Sequence, residues 1–107
     1  MSMETPNLKY IYDMSGGDKV FEEKMISIIK AELPKEILQF NEAIDSDELQ
    51  LAAQSVHKLK HKIGLMGLDK SYLKANEFEQ NLNANSQVLR EEFMDILNNM
   101  TIFINSL

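Results

Sequence analysis

The chain contains no cysteine, which excludes disulfides, thiolate zinc sites and cysteine nucleophiles together. That absence suits a reducing compartment. Glycine is nearly as scarce, present only as Gly16, Gly17, Gly64 and Gly67. Nowhere do proline, glycine and serine gather into a linker, and no internal repeat or low-complexity tract interrupts the chain. No apolar run approaches the roughly 20 residues that span a bilayer. The opening stretch MSMETPNLKY lacks the basic segment and apolar run of a signal peptide. A cytoplasmic protein without a membrane partner is therefore expected. Positive charge is also in deficit, with 11 Lys and Arg against 17 Asp and Glu and a net charge of −6. Nucleic acid is excluded as the main partner, because neutralising phosphates needs a basic face.

What remains is an ordinary globular composition, 44% hydrophobic and 26% charged over 107 residues, which suits one domain and one core spanning 1–107. The apolar residues recur at helical intervals with almost no alternation of β-branched residues. A short N-terminal helix, about 7–13, is predicted from Leu8, Ile11 and Tyr12. Gly16 and Gly17 then break the chain and Asp18 is a candidate N-cap. The next helix, about Lys19 to Ile44, carries Phe21, Met25, Ile28, Ile37, Phe40 and Ile44. Pro34 lies inside it and is expected to kink or divide it near Ala31. Asp45-Ser46-Asp47-Glu48 reads as a start signal for the third helix, whose stripe is Leu49, Ala52, Val56, Leu59 and Ile63.

Gly67-Leu68-Asp69 makes the following turn, with Asp69 as cap of a helix bearing Leu68, Tyr72, Ala75, Phe78 and Leu82. After Asn83-Ala84-Asn85-Ser86 the last helix carries Leu89, Phe93, Ile96, Met100, Phe103 and Leu107. Four amphipathic segments joined by short loops predict an all-α fold: an antiparallel four-helix bundle over about 18–107, with the short extra N-terminal helix outside it. Met25, Met66 and Met100 fall at core spacing and are read as gap-filling residues.

The chemistry concentrates in SVHKLKHKIGLMGL, residues 55–68. At 100° per residue His57 lies about 120° from the centre of the apolar stripe. It shares its face with Gln50, Ala53, His61 and Gly64. Lys60, one turn further on, falls between this face and the core. A neutral imidazole is nucleophilic through the nitrogen that lacks a proton, and a free imidazole, with a pKa of roughly 6.5, is mostly neutral at pH 7. If such a group attacks phosphorus, the arriving phosphoryl brings about two negative charges that a nearby ammonium can partly neutralise. Small neighbours let a donor approach closely. No serine, cysteine or paired carboxylate joins the constellation, so hydrolytic machinery is missing. From His57 to Lys74 five lysines face one aspartate, a local charge of about +4 suited to an acidic partner site.

His57-Lys58-Leu59-Lys60, followed by Gly67, resembles the H-x-L-K…G signature of histidine-containing phosphotransfer domains, and the likeness in helix order extends along nearly the whole chain. Ala75, Phe78 and Glu79 also fall where such domains often show a small residue, an apolar residue and a glutamate. The resemblance implies that His57 is the phosphoacceptor, that Lys60 supports the phosphoryl group and that Gly67 allows tight packing at the helix end. It implies a monomeric phosphocarrier without kinase activity of its own. Its partners would be response-regulator receiver domains and a hybrid histidine kinase. No cofactor is expected on this chain, the Mg²⁺ belonging to the receiver. Ala53, His61 and Gly64 would form the docking surface. His61 is a departure, since the family often has glycine directly after the lysine.

Other readings stand beside this one. The bundle could be an adaptor that binds a receiver or kinase domain without carrying phosphate. His57 and His61, spaced i, i+4, could hold a metal, but no third ligand accompanies them and no metal site is predicted. Lys58 and Lys62 point away from His57 and read as solvated, contributing steering only. Glu79 and Gln80 are both candidates to reach the imidazole from the neighbouring helix.

Overall fold

The computed structural model describes residues 4–107, so the first three residues of the expected domain and of the signal-peptide reading lie outside the described residues. Among the described residues there are five helices and no strand. They are α1 (Lys9–Ser15), α2 (Lys19–Asp45), α3 (Leu49–Leu65), α4 (Asp69–Asn83) and α5 (Arg90–Asn105). The four long helices meet in a ring: α2 packs on α3, α3 on α4, α4 on α5, and α5 returns to α2, while α1 rests on α2. Among the described residues no helix is long and apolar enough to cross a membrane.

The short helix α1 buries Ile11 and ends at Gly16, whose φ of 59° is left-handed. Asp18 caps α2 as the sequence predicts, its carboxylate accepting from the amides of Val20 and Phe21 at 3.0 and 3.2 Å. Pro34 does not divide the helix, which runs unbroken for 27 residues. Pro34 and Lys30 both lie on the exposed side, so the Lys30 carbonyl that loses its proline partner faces water. Continuity changes the buried face. Ile29, Leu33, Phe40, Ala43 and Ile44 are buried, and Ile28, assigned to the stripe, is 39% exposed. The period through 29, 33, 40 and 44 emerges only when the helix is carried past the proline.

Glu48 takes the N-cap position of α3, but no side chain caps the helix. The α2 helix itself extends through Asp45, and Asp47 sits at φ 57°. The amides of Asp47 and Glu48 donate back to the carbonyls of Ile44 and Ala43, the paired bonds of a Schellman ending. Asp45 and Asp47 thus belong to the end of α2, while Glu48 closes that ending through its amide and opens α3 through its carbonyl. Gly67 closes α3 in the same way, with φ 72° and with Leu68 N–H donating to Ile63 O and Gly67 N–H to Gly64 O. A Cβ there would stand 2.5 Å from Asn7 Nδ2, so this position admits close packing of the N-terminal segment as well as the left-handed turn.

Asp69 is the first residue of α4, not its cap. The free amides of Lys70 and Ser71 donate instead to the carboxylate of Glu4, at 3.0 and 2.7 Å, and Asn99 holds the Glu4 carbonyl from α5. Burial by itself would raise the Glu4 pKa; the backbone N–H bonds from Lys70 and Ser71, with the Ser71 hydroxyl and the Lys70 charge, together hold the carboxyl below its ordinary value. Leu89, counted as helical, precedes α5 and adopts φ 80°. Phe40 of α2, Phe78 of α4 and Phe93 of α5 meet at the centre, with ring centroids 5.1 to 6.0 Å apart, tying three helices through aromatic edges and faces. The α3 stripe is buried as predicted, and Met66 and Met100 join it.

Candidate functional site

The stripe of α3 fixes where its polar residues stand. With Val56, Leu59 and Ile63 fully buried, position 57 is rotated outward, and the His57 side chain is 61% exposed. Packing α4 against α3 then supplies what the α3 sequence lacks. Tyr72, Asn76 and Glu79 follow one another at intervals of four and three, along one face of α4. Glu79 Oε2 lies 3.2 Å from His57 Nδ1, and its other oxygen lies 2.7 Å from Lys60 Nζ. The ammonium also donates to Asn76 Oδ1 at 3.0 Å and sits 5.5 Å from the centroid of the Tyr72 ring.

A carboxylate accepts only, so it favours the tautomer with the proton on Nδ1 and leaves Nε2 with the free lone pair. The result is an exposed imidazole whose outward nitrogen is the nucleophilic one. Lys60 lies on the flank between the His57 face and the core, and its side chain turns inward. Its side chain is only 10% exposed and directed to Glu79. Of the two candidates left open on α4, Glu79 makes the contact; Gln80 is exposed. Tyr72, assigned to the apolar stripe of α4, is 40% exposed and belongs to this face instead, and Asn76 is a site residue that only its spacing with Glu79 could have signalled.

Lys62 corrects the sequence reading outright. It is buried, not solvated, and its Nζ donates to Glu32 Oε1 and Glu36 Oε2 of α2, each at 3.0 Å. With Lys60 and Lys62 both paired, the basic patch shrinks to Lys58, Lys70 and Lys74 at the surface. His61 is exposed on the turn after His57, the two rings edge-to-face with centroids 5.8 Å apart and planes at 87°. Gly64 lies beside Tyr72, where a Cβ would meet Cδ2 at an ordinary 3.8 Å. Ala53, assigned to the docking surface, is buried at 3% exposure. It lines an open groove of about 390 Å³ next to His57, with Gln50, Gln54, Lys58, Glu79 and Asn83. Among the described residues no group of three or more His, Cys, Asp or Glu side chains is placed to hold a metal ion.

The family model described as the Hpt domain matches residues 24–103, well over half of the chain. The chain belongs to the Hpt domain family. No curated protein and no solved structure matches it. The matched region runs from within α2 to within α5 and so takes in the whole of α3 and α4, where His57, Lys60 and Glu79 meet. The α1 helix and the segment carrying Glu4 lie before it. Hpt domains are phosphocarrier modules that work with response regulators in phosphorelays, and membership gives this protein a phosphotransfer role.

Proposed function

We propose that this protein carries a phosphoryl group on His57 Nε2, accepting it from and passing it to aspartates of response-regulator receiver domains. The single observation that carries the reading is the exposed imidazole whose Nδ1 faces Glu79, itself held by Lys60. On acceptance, Nε2 forms the bond to phosphorus while the aspartyl O–P bond breaks and the aspartate leaves as a carboxylate. The Nδ1 proton stays on the ring, and Glu79 stabilises the resulting imidazolium. The return step reverses this: the N–P bond breaks and a neutral imidazole leaves, which needs no further proton movement.

The four long helices act as an antiparallel four-helix bundle of one domain, with α1 accessory to it. Little chemistry is asked of the chain itself. The receiver brings the aspartyl phosphate and its Mg²⁺; the helical protein brings an oriented nucleophile and a docking face formed by His61, Gly64 and the groove above Ala53. Lys60 acts through Glu79 in the unphosphorylated protein. A hybrid histidine kinase is the upstream source, the chain has no ATP-dependent kinase activity, and it works as a cytoplasmic monomer.

Incubation with phosphorylated receivers tests the proposal. The wild type should take up acid-labile, base-stable label, and His57→Gln should take up none while melting normally, since the side chain lies off the core. Unchanged labelling of His57→Gln would overturn the assignment. Receiver binding without labelling of the wild type would make the protein an adaptor.

A further inference from the structure

We propose that His61 is a phosphoryl-binding residue, donating a ring N–H to an oxygen of the group carried on His57; the inference rests on the phosphotransfer reading above. Once phosphorylated at Nε2, His57 would present a doubly charged group toward solvent. Lys60, one turn further along α3, faces the other way, committed to Glu79 at 2.7 Å and Asn76 at 3.0 Å. Lys62 is locked between Glu32 and Glu36. Lys58 projects about 100° around the helix from His57. His61 is different in both position and geometry. It stands one turn beyond His57, and helical side chains lean toward the N-terminus, so a residue at i+4 leans over residue i while one at i−3 leans away.

The edge-to-face contact at 5.8 Å between centroids realises that lean. A phosphoryl on His57 Nε2 extends outward by a further bond, into the space beside the His61 ring. An imidazole there supplies a hydrogen-bond donor in its neutral form and a charge-assisted one when protonated. The bulk of His61 on the docking side thereby serves the phosphorylated state, and a partner must accommodate the ring, as the room over Gly64 allows.

Phosphoramidate provides a test that needs no cognate receiver: the Nε2–P bond forms as the reagent's own P–N bond breaks and ammonia departs. Wild type, His57→Gln, His61→Ala and His61→Gln are phosphorylated and their dephosphorylation is followed by ³¹P NMR. His61→Ala should lose its phosphoryl about fivefold faster, the scale of one charge-assisted hydrogen bond at an exposed site. His61→Gln, which keeps a donor, should recover much of the lifetime. In ¹⁵N spectra the ring nitrogens of His61 should shift when His57 is phosphorylated, a response that a merely structural residue would not give. If the wild type forms phosphohistidine at His57 but His61→Ala decays at the same rate, or the His61 resonances stay in place, this inference alone falls. If neither phosphoramidate nor a phosphorylated receiver labels the wild type, the phosphotransfer reading falls with it.

Discussion

Replacing Lys60 by methionine removes the ammonium while keeping most of the stem that packs beside Tyr72. The structure fixes what is left behind. Glu79, 19% exposed, loses its 2.7 Å partner and retains only the His57 ring N–H at 3.2 Å and limited water. The half-buried Asn76 loses the donor it held at 3.0 Å. Orphaning a fully buried charge costs about 3–5 kcal/mol, and breaking an exposed pair about 0.2–1 kcal/mol. The partial exposure of Glu79 puts Lys60→Met between them, at about 2 kcal/mol. For a domain of this size that lowers Tm by about 8 °C. Urea and thermal denaturation followed by circular dichroism measure the loss. Glu79→Gln removes the orphaned charge, so the double variant should cost less than about 1 kcal/mol, leaving a coupling of at least that size between the two positions. A loss below about 0.5 kcal/mol in Lys60→Met, or additivity with Glu79→Gln, would refute the inward pairing and return Lys60 to the surface.

Lys62→Ala should destabilise by about 2 kcal/mol, because Glu36 is left partly buried on α2, whereas Lys58→Ala should leave stability unchanged and only weaken the salt dependence of receiver association in stopped-flow measurements. Glu4→Gln should cost about 1 kcal/mol at neutral pH, as loss of a charged helix cap does. Since the folded-state value of Glu4 is lowered from the ordinary 4.5, its contribution is complete above that value and disappears as pH falls through the lowered one; denaturation of both proteins across that range checks the convergence. Gly64→Gln should raise helix stability by about 0.5 kcal/mol, because glycine is a poor helix former and a Cβ finds ordinary contact there, while weakening receiver binding at least tenfold. Normal receiver binding by this variant, measured by titration, would move the docking face elsewhere.

The amino-acid pattern by itself determined the helical class, the course of α3 and the outward position of His57. These are local properties: a stripe at intervals of three and four fixes which side of one helix is buried, and every other side chain on that helix follows from the 100° step. The H-x-L-K spacing within α3 was legible for the same reason. Tertiary structure decided the features that depend on two segments at once. Whether Glu79 or Gln80 faces His57 is set by the rotation of α4 against α3. Long lysine stems can reach inward from a flank position when a carboxylate waits on the neighbouring helix, which is how Lys60 is drawn in from the edge of the core and Lys62 is buried although its helical phase reads as solvated. The role of Glu4 is the extreme case: it caps a helix that begins 65 residues later in the chain. Pro34 leaves α2 undivided because its effect depends on surroundings, an unpaired carbonyl being tolerated where water can reach it. Periodicity along one helix carries no information about its neighbour's rotation, and the chemistry of this site lies between α3 and α4.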